Sequence, residues 1–345
     1  MDTMVAMRTA PSYLLKLALL TVLAGCGSAK SLPDRDRTLP DGPVRPGVET
    51  EPLTGRLADG VVALRDGELA DARAAFAEHL ASFPKSSMAA YHLGLVELQE
   101  GQLAKARSRF EEALVLNPQL HGAMNNLGAL YLQAGEDVAA ERLLEQAVAL
   151  APDDPRVLVN LAQVRLRRGL WSEAIEAYQK AISIAPGHGS ALYGYALAQM
   201  ERMQWQPALQ ALDEALDVRP RFAKAWAAKV VCLQAQGQLD EAEKVARQAM
   251  EELPVKSADN HIALARVLVE RKEIGQALEQ LQLAVELEPD NPATRMAYGE
   301  LLDAAGKKAQ ALEQYQQFLK NPARRSEDSR RIRERVKLLG GSTKG

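Results

Sequence analysis

The chain has 345 residues, and its 42 Lys and Arg against 45 Asp and Glu give a formal net charge of -3. A balance this close to neutral provides no broad basic field and argues against nucleic acid as a partner. Aromatic residues are only 5% of a chain that is 47% apolar. Ala and Leu dominate the remainder, small and medium side chains that suit helices in close contact, so the composition predicts an all-α fold.

Residues 1–25 read as a targeting segment, with Arg8 and Lys16 ahead of an apolar run from Leu17 to Ala24. That run is too short to cross a membrane, which takes roughly 20 apolar residues. It ends in Leu23-Ala24-Gly25-Cys26, which resembles the bacterial lipobox. The resemblance implies that Cys26 becomes the first mature residue and carries three acyl chains, where two already anchor a protein stably. An ordinary secretory signal, with Cys26 near the cut by accident, is the alternative. By the bacterial sorting rule Gly27, in place of Asp, implies the outer membrane and its periplasmic face. Met7 is a possible alternative start.

Once Cys26 is acylated, Cys232 is the remaining cysteine, so no intramolecular disulfide is expected. Its neighbours Val230, Val231 and Leu233 predict a buried structural thiol. Residues 26–52 contain Pro33, Pro40, Pro43, Pro46 and Pro52 and lack an apolar period, and read as a lipidated tether. A flexible chain of that length spans roughly 30 Å.

From residue 53 to 325 a 34-residue period takes over, with Pro84, Pro118, Pro152, Pro186, Pro220 and Pro254 and then Pro289 after one added residue. Each Pro ends an apolar helical run, because it lacks an amide donor and clashes with the preceding turn. Counting residue 53 as position 1 gives eight repeats, beginning at 53, 87, 121, 155, 189, 223, 258 and 292. Position 20 is Ala in every one, from Ala72 to Ala311. Position 8 is Gly or Ala except at Val230, and position 24 is bulky except at Ala246. Small residues fixed on two helices let their axes approach closely. The turn between them is usually Gly, as at Gly67 and Gly135, suited to a left-handed backbone.

On these residues the chain resembles the tetratricopeptide repeat family. The resemblance implies a right-handed superhelical solenoid of helix-turn-helix repeats whose first helices line a concave groove. Residues 326–345 read as a capping helix and tail, with Ser326 or Ser329 as N-cap and Ile332, Val336 and Leu339 on one face. Arg330, Arg331, Arg333, Arg335 and Lys337 then form a solvated outer face, with anionic lipid or cell-wall polymer as an alternative partner.

No phosphate loop, metal-spaced His/Cys set or nucleophile elbow is present, and Gly187-His188-Gly189-Ser190 falls at a junction between repeats. No catalytic residue, metal site or cofactor is expected, and the reading is of a protein that is not an enzyme. What remains is the groove. By the family's pattern it is lined by Tyr91, Leu95, Asn125, Gln133, Arg156, Val159, Gln163, Arg167, Tyr193, Met200, Lys224, Gln234, Ile262 and Arg266. At positions 9 and 12 packing between repeats competes with exposure. The carboxylate-clamping arrangement known in the family is not reproduced: Asn126 and Arg156 match it, whereas Tyr91, Leu95 and Asn160 replace its other residues.

The apolar component favours an amphipathic helix or extended segment laid along the groove. The expected partner is therefore an envelope protein bound through a peptide or helical segment, with the membrane reached through the lipid anchor; the sequence does not fix the oligomeric state. Lipobox, tether and consecutive repeats together resemble the tetratricopeptide lipoproteins that act as pilotins for type IV pilus secretins. The alternatives are an organiser of outer-membrane barrel assembly or of cell-wall enzymes, or the substrate-recruiting arm of an envelope enzyme.

Overall fold

The computed structural model describes residues 54–253, 257–320 and 326–341. The targeting segment, Cys26, the tether and Pro254 lie outside them. Seventeen helices and no strand occur among the described residues. They fall into two compact units, one ending at Gly194 and the other beginning at Tyr195.

The first unit holds α1 (Gly55–Asp66), α2 (Leu69–Ser82), α3 (Ser87–Gln99), α4 (Leu103–Leu116), α5 (His121–Ala134), α6 (Asp137–Leu150), α7 (Pro155–Arg167) and α8 (Trp171–Ile184). The division falls inside α9 (Gly189–Glu201). The second unit continues with α10 (Trp205–Val218), α11 (Ala223–Ala235), α12 (Leu239–Glu252), α13 (Ala258–Glu270), α14 (Ile274–Leu287), α15 (Pro292–Ala304), α16 (Lys308–Lys320) and α17 (Ser326–Leu338). In the first unit α1, α3, α5 and α7, and in the second α11, α13 and α15, are each the first helix of a repeat and pack on the even-numbered helix that follows; α17 comes after the last repeat.

The all-α expectation holds, and the repeated small residues explain how the hairpins close. Every Ala at position 20 is completely buried, from Ala72 to Ala311. The glycine at position 8 faces the bulky residue at position 24. A Cβ on Gly60 would stand 2.5 Å from Phe76 Cε1, one on Gly128 2.7 Å from Leu144 Cγ, and one on Gly299 2.7 Å from Tyr315 Cε1. These side chains fill the space that glycine leaves open. Tyr178 departs from the pattern: its ring reaches Gly194 in the following repeat, where a Cβ would meet Tyr178 Cζ at 2.3 Å. Its own repeat carries Ala162 at position 8, so that side is already occupied.

The turns use left-handed backbone, with φ 85° at Gly67 and 81° at Gly135. Two repeats adopt it without glycine, at Met203 (φ 57°) and Lys272 (φ 65°). Helix starts are capped by side chains at Ser86, Asp154 and Asn291, whose oxygens accept backbone N–H groups of the first turn. Of the two N-caps expected for the last helix, Ser329 lies inside α17 and is buried. Ile332 and Val336 are buried as expected, and α17 is held to α15 by Arg331 with Glu300 at 2.7 Å and by Arg335 with Asp303 at 2.8 Å. Two of the cations expected on an outer face therefore bind inward.

Candidate partner-binding faces of the first helices

In the first unit several of the expected groove residues are bonded to residues of the neighbouring repeat. Asn126 donates from Nδ2 to Tyr91 Oη at 3.3 Å, and Asn160 donates to Asn125 Oδ1 at 2.8 Å. Each bond joins position 5 of one repeat to position 6 of the next, 35 residues along the chain. At the other end of these helices Arg167 Nη1 donates to the Leu132 carbonyl, while its Nη2 lies 2.9 Å from Asp137 Oδ1.

Arg156 is bound through Nε and Nη2 to both oxygens of Asp154, at 3.1 and 2.7 Å. Burial pushes the Asp154 carboxyl up, but the hydrogen bonds from Arg156 outweigh it and hold the carboxyl below its ordinary range. Burial raises the Tyr91 hydroxyl, against the charge of Arg156. Asn126 and Arg156, the two residues that match the clamp, are thus already engaged within the chain.

Burial sorts the remaining positions. Tyr91, Asn125, Val159 and Tyr193 are buried, whereas Leu95 and Gln163 are half-buried and Gln133 and Arg167 exposed. In the second unit Met200 and Gln234 are buried and present no surface to a partner; Gln234 donates to Glu270 Oε1 at 2.6 Å. Lys224, Ile262 and Arg266 retain accessible surface. Packing therefore wins at positions 9 and 12 of repeats five and six (Leu197, Met200, Val231 and Gln234), and leaves those positions half-open in repeats two and seven (Leu95, Leu98, Arg266 and Val269). Helices α11 and α13 pack on each other more extensively than α1 and α3 do, which closes the face over α11.

A second set of joints was not anticipated. Glu97 is buried and faces Arg73 at 3.5 Å and Arg109 at 3.8 Å, and Glu141 holds Arg165 at 3.7 Å and also Arg168. The joint between repeats one and two has its arginine at position 21 and its glutamate at position 11; that between three and four has the reverse. These charges were legible as residue types, but no local pattern pairs residues that meet only across a joint between repeats.

Cys232 is fully buried with its thiol pushed up to about 12, as its apolar neighbours predict. A cleft lined by Val148, Leu158, Leu161 and Ala177 with Glu145, Arg165, Glu176 and Lys180 contains none of the expected groove residues. Among the described residues no cluster of three or more His, Cys, Asp or Glu is placed to hold a metal ion. No described helix is long and apolar enough to cross a membrane.

Paired helices with small residues at fixed positions and polar bonds between neighbouring first helices define a helical-hairpin repeat scaffold. Two sequence profiles of the tetratricopeptide repeat match the chain, one at residues 57–121 and 262–327, the other at 97–163, 131–176 and 165–230, together more than half its length. The chain belongs to the tetratricopeptide repeat family, whose members serve protein–protein interaction. A solved tetratricopeptide repeat protein from Parabacteroides merdae is 18% identical with a TM-score of 0.61, over 74% of this chain and 99% of that one. PilW, described as a widely conserved type IV pilus biogenesis factor, is 18% identical with a TM-score of 0.55, over 61% of this chain and 97% of that one. PilF of Pseudomonas aeruginosa is 17% identical with a TM-score of 0.52, over 62% and 97%. At these identities the likeness is one of fold. No curated protein matches the chain.

Proposed function

We propose that this protein is a non-enzymatic scaffold, lipid-anchored through Cys26 at the periplasmic face of the outer membrane. It captures a peptide or helical segment of another envelope protein on the first helices of its repeats and serves type IV pilus or secretin assembly. The observation that carries the capture reading is the face of α3, α5 and α7, where Leu95, Gln133 and Gln163 keep accessible surface beside Tyr91, Asn125 and Arg156, which are fixed by bonds within the chain. A face whose polar groups are held in place accepts a ligand without first ordering them. The lipobox-like Leu23-Ala24-Gly25-Cys26 supports the anchor, and the shared fold with PilW and PilF supports the pathway.

Photo-crosslinking from positions 95, 163 and 262 in intact cells tests the capture. The expected product is one discrete adduct with a pilus or secretin component, lost on Leu95→Glu combined with Gln163→Glu while helical content is unchanged. An adduct with a barrel-assembly component or a cell-wall enzyme would replace the pathway, and adducts only from convex positions would sink the groove. Cys26→Ser abolishes palmitate labelling and detergent-phase partitioning if the anchor is as proposed; retention of both would overturn it.

A further inference from the structure

From residue 305 onward the chain carries eleven Lys and Arg against four Asp and Glu, while the residues before it carry 31 against 41. A chain of net charge -3 thus gathers an excess of seven positive charges at the end of its second unit.

Helix α17 shows how that charge is placed. Its buried stripe is Ser329, Ile332 and Val336. Arg331 and Arg335 lie on one side of the stripe and are tied to α15 through Glu300 and Asp303. On the other side, within about 60° of the helix circumference, stand Arg330, Arg333 and Lys337. All three are exposed, and among the described residues their side chains form no hydrogen bond or ion pair. Glu334 is exposed beside them and pairs with none of them. The turn before α16 adds Lys307 and Lys308, whose side chains are likewise exposed and unpaired. That turn lies at the same end of the bundle as the last turn of α17, where Arg335 reaches Asp303 and Gly341 lies against Leu312.

The fold does not require these cations. Arg330 with Arg333, and Arg333 with Lys337, stand three and four residues apart, a spacing at which like charges weaken a helix. Of the three, Lys337 alone lies in the last turn, where the helix dipole favours a cation. Counted on from residue 292, α17 starts at position 1 of a ninth unit and Arg333 takes position 8. The repeats, Val230 apart, carry Gly or Ala there, against the bulky residue of a second helix. An arginine at that place keeps a second helix from packing closely, so this face is open as well as basic. Its apolar component is Leu338, 77% exposed next to Lys337. Cations around an exposed leucine match the two parts of a bilayer surface, anionic headgroups and the acyl boundary beneath them, whereas a soluble polyanion engages cations alone.

We propose that the exposed face of α17, together with the turn at Lys307 and Lys308, is a docking surface for a bilayer that contains anionic phospholipid. Arg330, Arg333 and Lys337 meet the headgroup phosphates, and Leu338 enters the interface. The proposal goes beyond the scaffold reading and does not depend on acylation of Cys26.

The test titrates the full-length Cys26→Ser chain, as parent, with vesicles of phosphatidylcholine alone or with about one third phosphatidylglycerol. Parent and variants share the same leading segment, so differences between them report the substitutions. The parent binds the anionic vesicles about tenfold or more tighter than the neutral ones. Arg330→Gln, Arg333→Gln and Lys337→Gln combined lower that binding about a hundredfold, roughly fivefold for each cation, with an unfolding midpoint no lower than the parent's. Arg330→Lys with Arg333→Lys retains it, because a bilayer surface responds to charge and not to guanidinium geometry. Leu338→Ser weakens it severalfold.

Equal binding to the two kinds of vesicle would overturn the proposal, and so would anionic binding that survives the triple substitution. A lower midpoint for the triple variant would show that the fold uses these charges, which also overturns it. Loss of binding in the lysine pair would point to a geometric site in place of a surface. A parent that binds fluorescent polyglutamate and neither vesicle, or vesicle binding untouched by Leu338→Ser, would make the partner an acidic macromolecule and overturn the membrane assignment.

Discussion

Phe110 occupies the space that a side chain on Gly94 would need: a Cβ placed there lies 2.6 Å from Phe110 Cε1 and 3.2 Å from Arg109 Cβ. Gly94→Ala therefore forces the ring or the helix axis to shift, at about 1–3 kcal/mol. Repeat five already has Ala196 at position 8 and Leu212 at position 24, both completely buried. The double change Gly94→Ala with Phe110→Leu reproduces that pair, and is expected to cost less than the sum of the single changes. Urea midpoints of the two single variants and the double variant give the coupling.

Met203 and Lys272 have left-handed backbones with φ of 57° and 65°, and both side chains are exposed. A Cβ in that conformation costs about 1 kcal/mol, so Met203→Gly and Lys272→Gly should each stabilise the protein by that amount. The gain is read in thermal melts. A loss of stability would mean that the side chains contribute packing that their exposure does not show.

His92 is buried against Phe76, their rings 5.2 Å apart and 12° from parallel, and neither of its ring nitrogens has a hydrogen-bond partner. Burial lowers its pKa from 6.5 to about 4. The folded state thus binds this proton more weakly than the unfolded chain does. Stability from this residue is full above pH 6.5 and is lost as the pH falls toward 4, by about 3 kcal/mol in all. His121, also lowered chiefly by burial, acts with the same sign. In melts at pH 7.5 and 5, His92→Phe is expected to lose much less stability on acidification than the parent.

The buried thiol of Cys232 predicts silence toward thiol reagents in the folded protein. In the Cys26→Ser chain, a disulfide reagent at pH 8 should label less than stoichiometrically until denaturant is added. Cys232→Ala should cost about 1 kcal/mol through lost packing. Rapid labelling under native conditions would show that α11 opens locally.

The hairpin architecture was legible because its rule is periodic: Ala at position 20 and, Val230 apart, Gly or Ala at position 8 recur at a 34-residue period with one added residue, and every position-20 Ala is buried. The partner-binding faces were legible in residue type and less so in exposure. Tyr91 and Asn125 sit where the family's groove lies, but their hydrogen-bond partners are 35 residues further on, placed by the packing between repeats. No local pattern carries that placement. The pairing of Asp154 with Arg156 was closer to readable, because Asp-Pro-Arg puts a cap, a first-turn proline and a cation in sequence.

The bonds from Tyr91 to Asn126 and from Asn125 to Asn160 bear on how such an array lengthens. The repeat from His121 carries Asn at both positions that the joint uses, so a tandem copy of it would set Asn125 of one copy beside Asn126 of the next, the same residue types that now bond at Asn125 and Asn160. A copy of the preceding repeat would instead set Tyr91 against His92, whose ring is committed to the core beside Phe76. Growth by duplication is therefore open at one repeat and obstructed at its neighbour, and a longer relative of this scaffold would extend from the segment that begins at His121.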